Sequence, residues 1–149
     1  MPNHYKFVIV DRIFCECYIK WTYEDSSDTA GRAGLYKLHE KSAIKKSREE
    51  PCLLWLTSIT REELEKQYSG SVRDMCHVSS IIEASGEFII SSPNIEEIDA
   101  ILKTASYLRW KKSDFCVLTG NSLIYDTAKK EGFDVYYLTD TDLVLRNSA

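Results

Sequence analysis

Long apolar runs are missing from this chain of 149 residues. None approaches the roughly 18 residues of a membrane-spanning helix, so a membrane protein of that type is excluded. The opening stretch MPNHYKFVIVD lacks the layout of a cleavable signal, and a cytoplasmic location is the expectation. Positive charge is not in excess. The net charge of −4 argues against a broad cationic surface for nucleic acid. It leaves room for a nuclease, because a metal-binding acid cluster lowers net charge while a local basic strip still holds phosphate. Histidine is sparse (His4, His39, His77), so Cys15, Cys17 and Cys116 have no obvious partner for nucleophilic catalysis. Five cysteines are an odd number, and four of them sit in apolar segments. They read as free thiols in a reducing compartment. Cys15 and Cys17 have one residue between them and no second pair nearby to complete a zinc tetrad. Repeats, low-complexity segments and long linkers are also missing, and one domain over residues 1–149 is expected.

What remains is an alternation of short apolar runs and helical periodicity. Apolar runs at 6–11, 52–57, 87–91, 114–119 and 134–138 predict five strands, mostly buried. Helices are predicted over 12–23, 35–50, 61–68, 72–85, 95–110 and 122–131, and the tail after 138 allows one more short element. Ser58 or Thr60 is the expected cap of the third helix, with Glu63 in the capping-box position from Thr60. Asn94 is the expected cap of the helix 95–110, with Glu97 at its third position. Asn121 is a favoured N-cap type, and Gly132 closes that last helix. Strands alternating with helices predict a three-layer α/β/α fold around a central, mainly parallel five-stranded sheet. Such folds carry their sites at the carboxyl ends of the strands, where strand order reverses.

At those ends stand Asp11, Glu63 and Asp99, with Asn121 after the fourth strand. Each alone reads as a cap or a dipole-compensating acid. Together, three carboxylates and an amide from four segments suit a hard divalent cation, which would offset their mutual repulsion.

The set resembles the PIN-domain ribonucleases. The matching stretches are FVIVD ending at Asp11, WLTSITREEL with Glu63 before a leucine, IDAILKTASYL carrying Asp99, and FCVLTGN before a helix, a glycine and a strand. They span residues 6 to about 143, while residues 24–50 contribute little. The resemblance implies an endoribonuclease that cleaves RNA with Mg²⁺ or Mn²⁺ held by Asp11, Glu63 and Asp99. Asn121 stands where the family has a fourth acid. An amide oxygen can ligate a metal or orient a water, but it adds no charge. Ser58, Thr60 and Thr119 match polar positions beside the acid pocket. Arg12, Lys45 and Lys46 are the favoured phosphate contacts, with Arg109, Lys111 and Lys112 as a second basic group at a helix end. The family resemblance also suggests RNA, an inhibitor or antitoxin-type protein, or a second copy as partners.

Asp114 opens the fourth strand about five residues, or ~16 Å, from its carboxyl end, so it cannot replace Asn121 as an acid. Asp126, Asp140 and Asp142 are weaker reserves. TGNS after a strand lacks the lysine and further glycines of a phosphate loop. A receiver-like module would need an acid where the third strand meets Ser91-Ser92-Pro93. Two readings therefore stand: a metal-dependent endoribonuclease, and a catalytically degenerate PIN-like module that binds nucleic acid or protein.

Overall fold

A computed structural model describes residues 6–19, 53–72, 75–76, 78–79, 86–92, 94–138 and 145–147. The expected helix at 35–50, with Lys41, Lys45, Lys46 and Arg48, lies outside those residues, as do Asp140 and Asp142. The elements are β1 (Phe7–Val10), α1 (Arg12–Ile19), β2 (Leu53–Thr57), α2 (Ser58–Gln67), β3 (Gly86–Phe88), α3 (Glu97–Trp110), β4 (Phe115–Thr119), α4 (Ser122–Lys130), β5 (Val135–Leu138) and β6 (Leu145–Asn147). Residues 72, 75–76 and 78–79 are also helical, within the expected helix 72–85.

The sheet runs β3-β2-β1-β4-β5-β6. Five strands are parallel, and β6 adds an antiparallel edge to β5. Helices on both faces make the expected three-layer α/β/α arrangement. The chain leaves β1 for β2 and β3, then returns to place β4 on the other side of β1. Strand order therefore reverses between β1 and β4, where ligand sites of such sheets lie.

Register fixes what meets there. Ile9 pairs with Trp55 and Val10 with Leu118, so the next residue, Asp11, falls level with Thr57 and Thr119. Side chains alternate faces along a strand. Asp11 therefore shares its face with Ile9, and Thr119 shares its face with Val117. Ile9 and Val117 belong to the core beneath α3 and α4, with Ile101, Ala105, Leu108, Ile124, Ala128, Phe133 and Val135. Fully burying one such aliphatic side chain contributes about 1.5–3 kcal/mol. That core fixes α3 and α4 against the sheet, and their first turns face its carboxyl edge.

Two expected caps are corrected. Helix α2 begins at Ser58, and its N-cap is Thr57, whose Oγ1 accepts from the Thr60 amide at 3.1 Å. Neither Ser58 nor Thr60 is the cap, because both lie inside the first turn, and Glu63 is not at a capping-box position. Helix α3 begins at Glu97 after Glu96, with no side-chain cap bond. Asn94 lies outside the helix in the left-handed region at φ 55°, a conformation Asn tolerates better than most residues. Asn121 does cap α4, and Gly132 turns the chain beyond it at φ 82°.

Candidate acidic site at the carboxyl edge

Asp11 follows β1 and is fully buried. Its Oδ1 accepts from the Phe14 amide at 2.9 Å and from the Gly120 amide at 3.4 Å. Its Oδ2 accepts from the Thr119 hydroxyl at 2.5 Å. Burial pushes the proton affinity of this carboxyl up, while those three donors and the Arg12 charge oppose the shift. Asp11 thus ties the start of α1 to the turn after β4, across the point where strand order reverses.

The second carboxylate is Glu97, half-buried at the first position of α3. Its Oε2 accepts from the Arg12 amide at 2.8 Å and from the Thr60 hydroxyl at 2.5 Å. Thr60 is itself held by Thr57, whose hydroxyl donates to Thr60 Oγ1 at 3.1 Å. Burial, followed by the like charges of Asp11 and Glu63, raises Glu97 to about 7 despite the two stabilising hydrogen bonds. No hydrogen bond occupies Glu97 Oε1 among the described residues. That oxygen is the free acceptor of the pair.

The other expected site residues fall into distinct roles. Glu63 is exposed on α2, one turn beyond Thr60, and its charge reaches Glu97. Asp99 is exposed and has no hydrogen bond or ion pair among the described residues. The structure puts Glu97, not Asp99, against Arg12 and Thr60. Burial along α3 explains why. Counting from Glu97, the positions i+3, i+4, i+7, i+8 and i+11 are Ala100, Ile101, Thr104, Ala105 and Leu108, all buried. An acid on that stripe faces the sheet edge, whereas Asp99 leads to half-buried Leu102 and exposed Lys103. Sequence reasoning placed Glu97 as a capping residue. The burial stripe was the signal that could have found it.

Asn121 uses its side-chain oxygen as a cap, accepting from the Leu123 amide at 2.8 Å and the Ile124 amide at 3.4 Å. Its own amide donates to Thr119 Oγ1 at 2.9 Å. Ser58 is buried, and its Oγ accepts from the Ile90 amide at 2.8 Å, which straps the chain after β3 to α2. The backbone amide of Arg12 serves the acid pair, but its guanidinium turns to Glu16 at 2.8 Å and Gln67 at 3.1 Å. Arg61 is likewise held, by Glu87 at 3.0 Å and Glu65 at 2.6 Å.

Among the described residues, no group of three or more His, Cys, Asp or Glu side chains is gathered closely enough to hold a metal ion. The donor chemistry nevertheless fits a hard cation. Mg²⁺ commonly takes only one or two carboxylates and completes its shell with water and phosphate. Asp11 and Glu97 supply such a pair, with a free oxygen on Glu97 and an adverse charge balance that a cation would relieve.

The doubly wound sheet with helices on both faces is a PIN-like fold. It is similar to the solved structure of the PIN domain endonuclease Utp24, with a TM-score of 0.62 over 95% of this chain and 90% of that one, at 14% sequence identity. No protein-family model matches the sequence, and no curated protein sequence matches it.

Proposed function

We propose that this chain is a divalent-metal-dependent endoribonuclease whose acid set is Asp11, Glu97 and Glu63. One observation carries the reading: a fully buried carboxylate, Asp11, and a half-buried one, Glu97, come from distant parts of the chain to the switch point, with a third acid in electrostatic reach. Holding like charges close together is costly, and a bound cation would offset that repulsion. The resemblance of the strand-end stretches to PIN ribonucleases, and the Utp24-like fold, support the same chemistry.

Asp11 and Glu97 would hold Mg²⁺ or Mn²⁺, with Glu63 in reserve through water. When bound, such an ion lowers the pKa of a water and polarises a phosphodiester. The chain's own residues prepare the pocket. The Phe14 and Gly120 amides and the Thr119 hydroxyl lock Asp11 in one rotamer. Thr57 and Thr60 orient Glu97 so that Oε1 stays open. Ser58 supports this edge by holding Ile90, and Asn121 supports it by capping α4, so both act through the backbone.

The test is cleavage of an RNA pool of mixed single-stranded and structured sequences with Mn²⁺ or Mg²⁺. Asp11→Asn, Glu97→Gln and EDTA should each abolish it, whereas Asp99→Asn should leave it largely intact. A folded protein that neither cleaves nor gains melting temperature from Mn²⁺ would overturn the proposal. A degenerate binding module is the second reading. The observation favouring it is that the Asn121 oxygen is taken up by two backbone amides, so the place of a fourth acid contributes neither charge nor a free ligand. Binding of RNA without cleavage in any divalent metal would decide for that reading.

A further inference from the structure

Away from its buried stripe, α3 presents Lys103, Tyr107 and Trp110 at i, i+4 and i+7, and Lys111 follows as its C-cap at i+8, all exposed and on one side of the helix. Trp110 is 74% and Tyr107 52% exposed, and their ring centroids lie 6.4 Å apart. Lys111 Nζ sits 5.3 Å from the Trp110 ring and 6.0 Å from the Tyr107 ring. Beside them is a cleft of about 260 Å³, lined by Phe88 at the end of β3, by residues 89–91 beyond it and by Lys103, Thr104 and Tyr107. Ile89, in that lining, is 74% exposed. Through Ile90 the cleft reaches Ser58, in the same first turn as Thr60. From Glu97 to Trp110 the helix rises about 20 Å.

Nothing in the core needs two large aromatic side chains in solvent. Protein interfaces are enriched in aromatic residues, but lysine is depleted there. Here Lys103 and Lys111 lie among the rings, and Lys112 follows, on a chain whose net charge is −4. Aromatic faces interleaved with cations match single-stranded nucleic acid, whose bases stack and whose phosphates need charge. We propose that this face binds single-stranded RNA. Bases stack on Tyr107 and Trp110, and Lys103, Lys111 and Lys112 hold phosphates. The strand then runs along α3 and the cleft toward the acid pair. This rests on the endonuclease reading only for its direction toward Asp11 and Glu97.

The experiment is fluorescence anisotropy of a labelled oligouridylate in EDTA at several salt concentrations, so that binding is read without cleavage. The double variant Tyr107→Ala, Trp110→Ala should bind about tenfold more weakly or worse, since stacking is worth about 1–3 kcal/mol per base. Lys103→Ala, Lys111→Ala should flatten the salt dependence by about 1.4, from roughly 0.7 for each phosphate no longer neutralised. Melting curves establish that each variant folds, and the lysine pair decides if the aromatic pair does not. Absent binding, or wild-type affinity and salt slope in the folded variants, overturns the proposal. So does a wild-type dimer in sedimentation that the aromatic substitutions dissociate, because the face would then serve a second copy. Metal-free binding that depends on this face, without cleavage in Mn²⁺, would sink the nuclease reading and keep this one.

Discussion

Replacing Glu97 by Gln should stabilise the metal-free protein at pH 8. The carboxyl has an ordinary pKa of 4.5 and stands at about 7 in the folded protein. Between those values the folded state binds more protons than the unfolded state, so stability falls as pH rises. The contribution of Glu97 is fully present below pH 4.5 and is lost by the time pH has passed 7. The rise from 4.5 to about 7, at 1.36 kcal/mol per tenfold change in proton affinity, makes the loss at pH 8 about 3 kcal/mol. Gln is isosteric, and its carbonyl can still accept from the Arg12 amide and the Thr60 hydroxyl. The variant should therefore match the wild type near pH 4 and exceed it by up to about 3 kcal/mol at pH 8. In a chain of this size that is about 6–12 °C in melting temperature. Urea unfolding in EDTA across pH 4–8 measures it. Added Mn²⁺ should close the gap, raising the wild type far more than the variant, because binding to the folded state alone adds stability. Equal pH profiles for the two proteins, or a variant less stable at pH 8, would refute the account of Glu97 as a carboxylate held against its own solvation.

Thr60→Val removes the hydroxyl that supports ionised Glu97. It should cost about 1–3 kcal/mol at pH 8 and clearly less near pH 4, read by the same unfolding series. Asn121→Ala should lose the α4 cap and about 1 kcal/mol by chemical denaturation. Asn121→Asp should keep the cap and add charge at a helix N-terminus, for about 0.3–1 kcal/mol in its favour; if the endonuclease reading holds, Mn²⁺-dependent RNA cleavage should also increase. Gly86→Ala would place a Cβ 2.4 Å from the Trp55 ring, which packs against Phe88 at 4.6 Å and Phe7 at 5.1 Å. Overpacking of this kind should cost about 1–3 kcal/mol and show as a lowered denaturation midpoint.

The strands were legible because a buried parallel strand must be apolar on both faces, and FVIV and FCVLT admit few other readings. Their order along the chain then limited the topology to a sheet with helices on both sides. Asp11 was legible for the same reason, as the first polar residue after such a strand. The start of α3 was not. Two acids, Glu97 and Asp99, lie within its first turn, and a local cap signal at Asn94 pointed to an earlier start. Only the sheet decides which side of α3 is buried, and that contact is long-range. The cap of α2 failed similarly. Thr57 ends a strand and begins a helix at once, and its hydroxyl is claimed by the Thr60 amide only because β2 stops there.

The arrangement around Asp11 shows how stability and chemistry are divided at this edge. Asp11 uses both oxygens for the fold, joining α1 to the turn after β4, so its removal should damage structure and chemistry together. Glu97 gives one oxygen to its neighbours and keeps the other open, with a loss of stability that grows with pH. Asn121 has gone fully to structure. One open, electrostatically strained carboxylate beside a fixed one is what the proposed acid site needs and what the fold alone does not. Gln at position 97 would satisfy Arg12 and Thr60 equally well without the penalty. That is why the behaviour of Glu97, more than the presence of Asp11, separates a working acid site from its remnant.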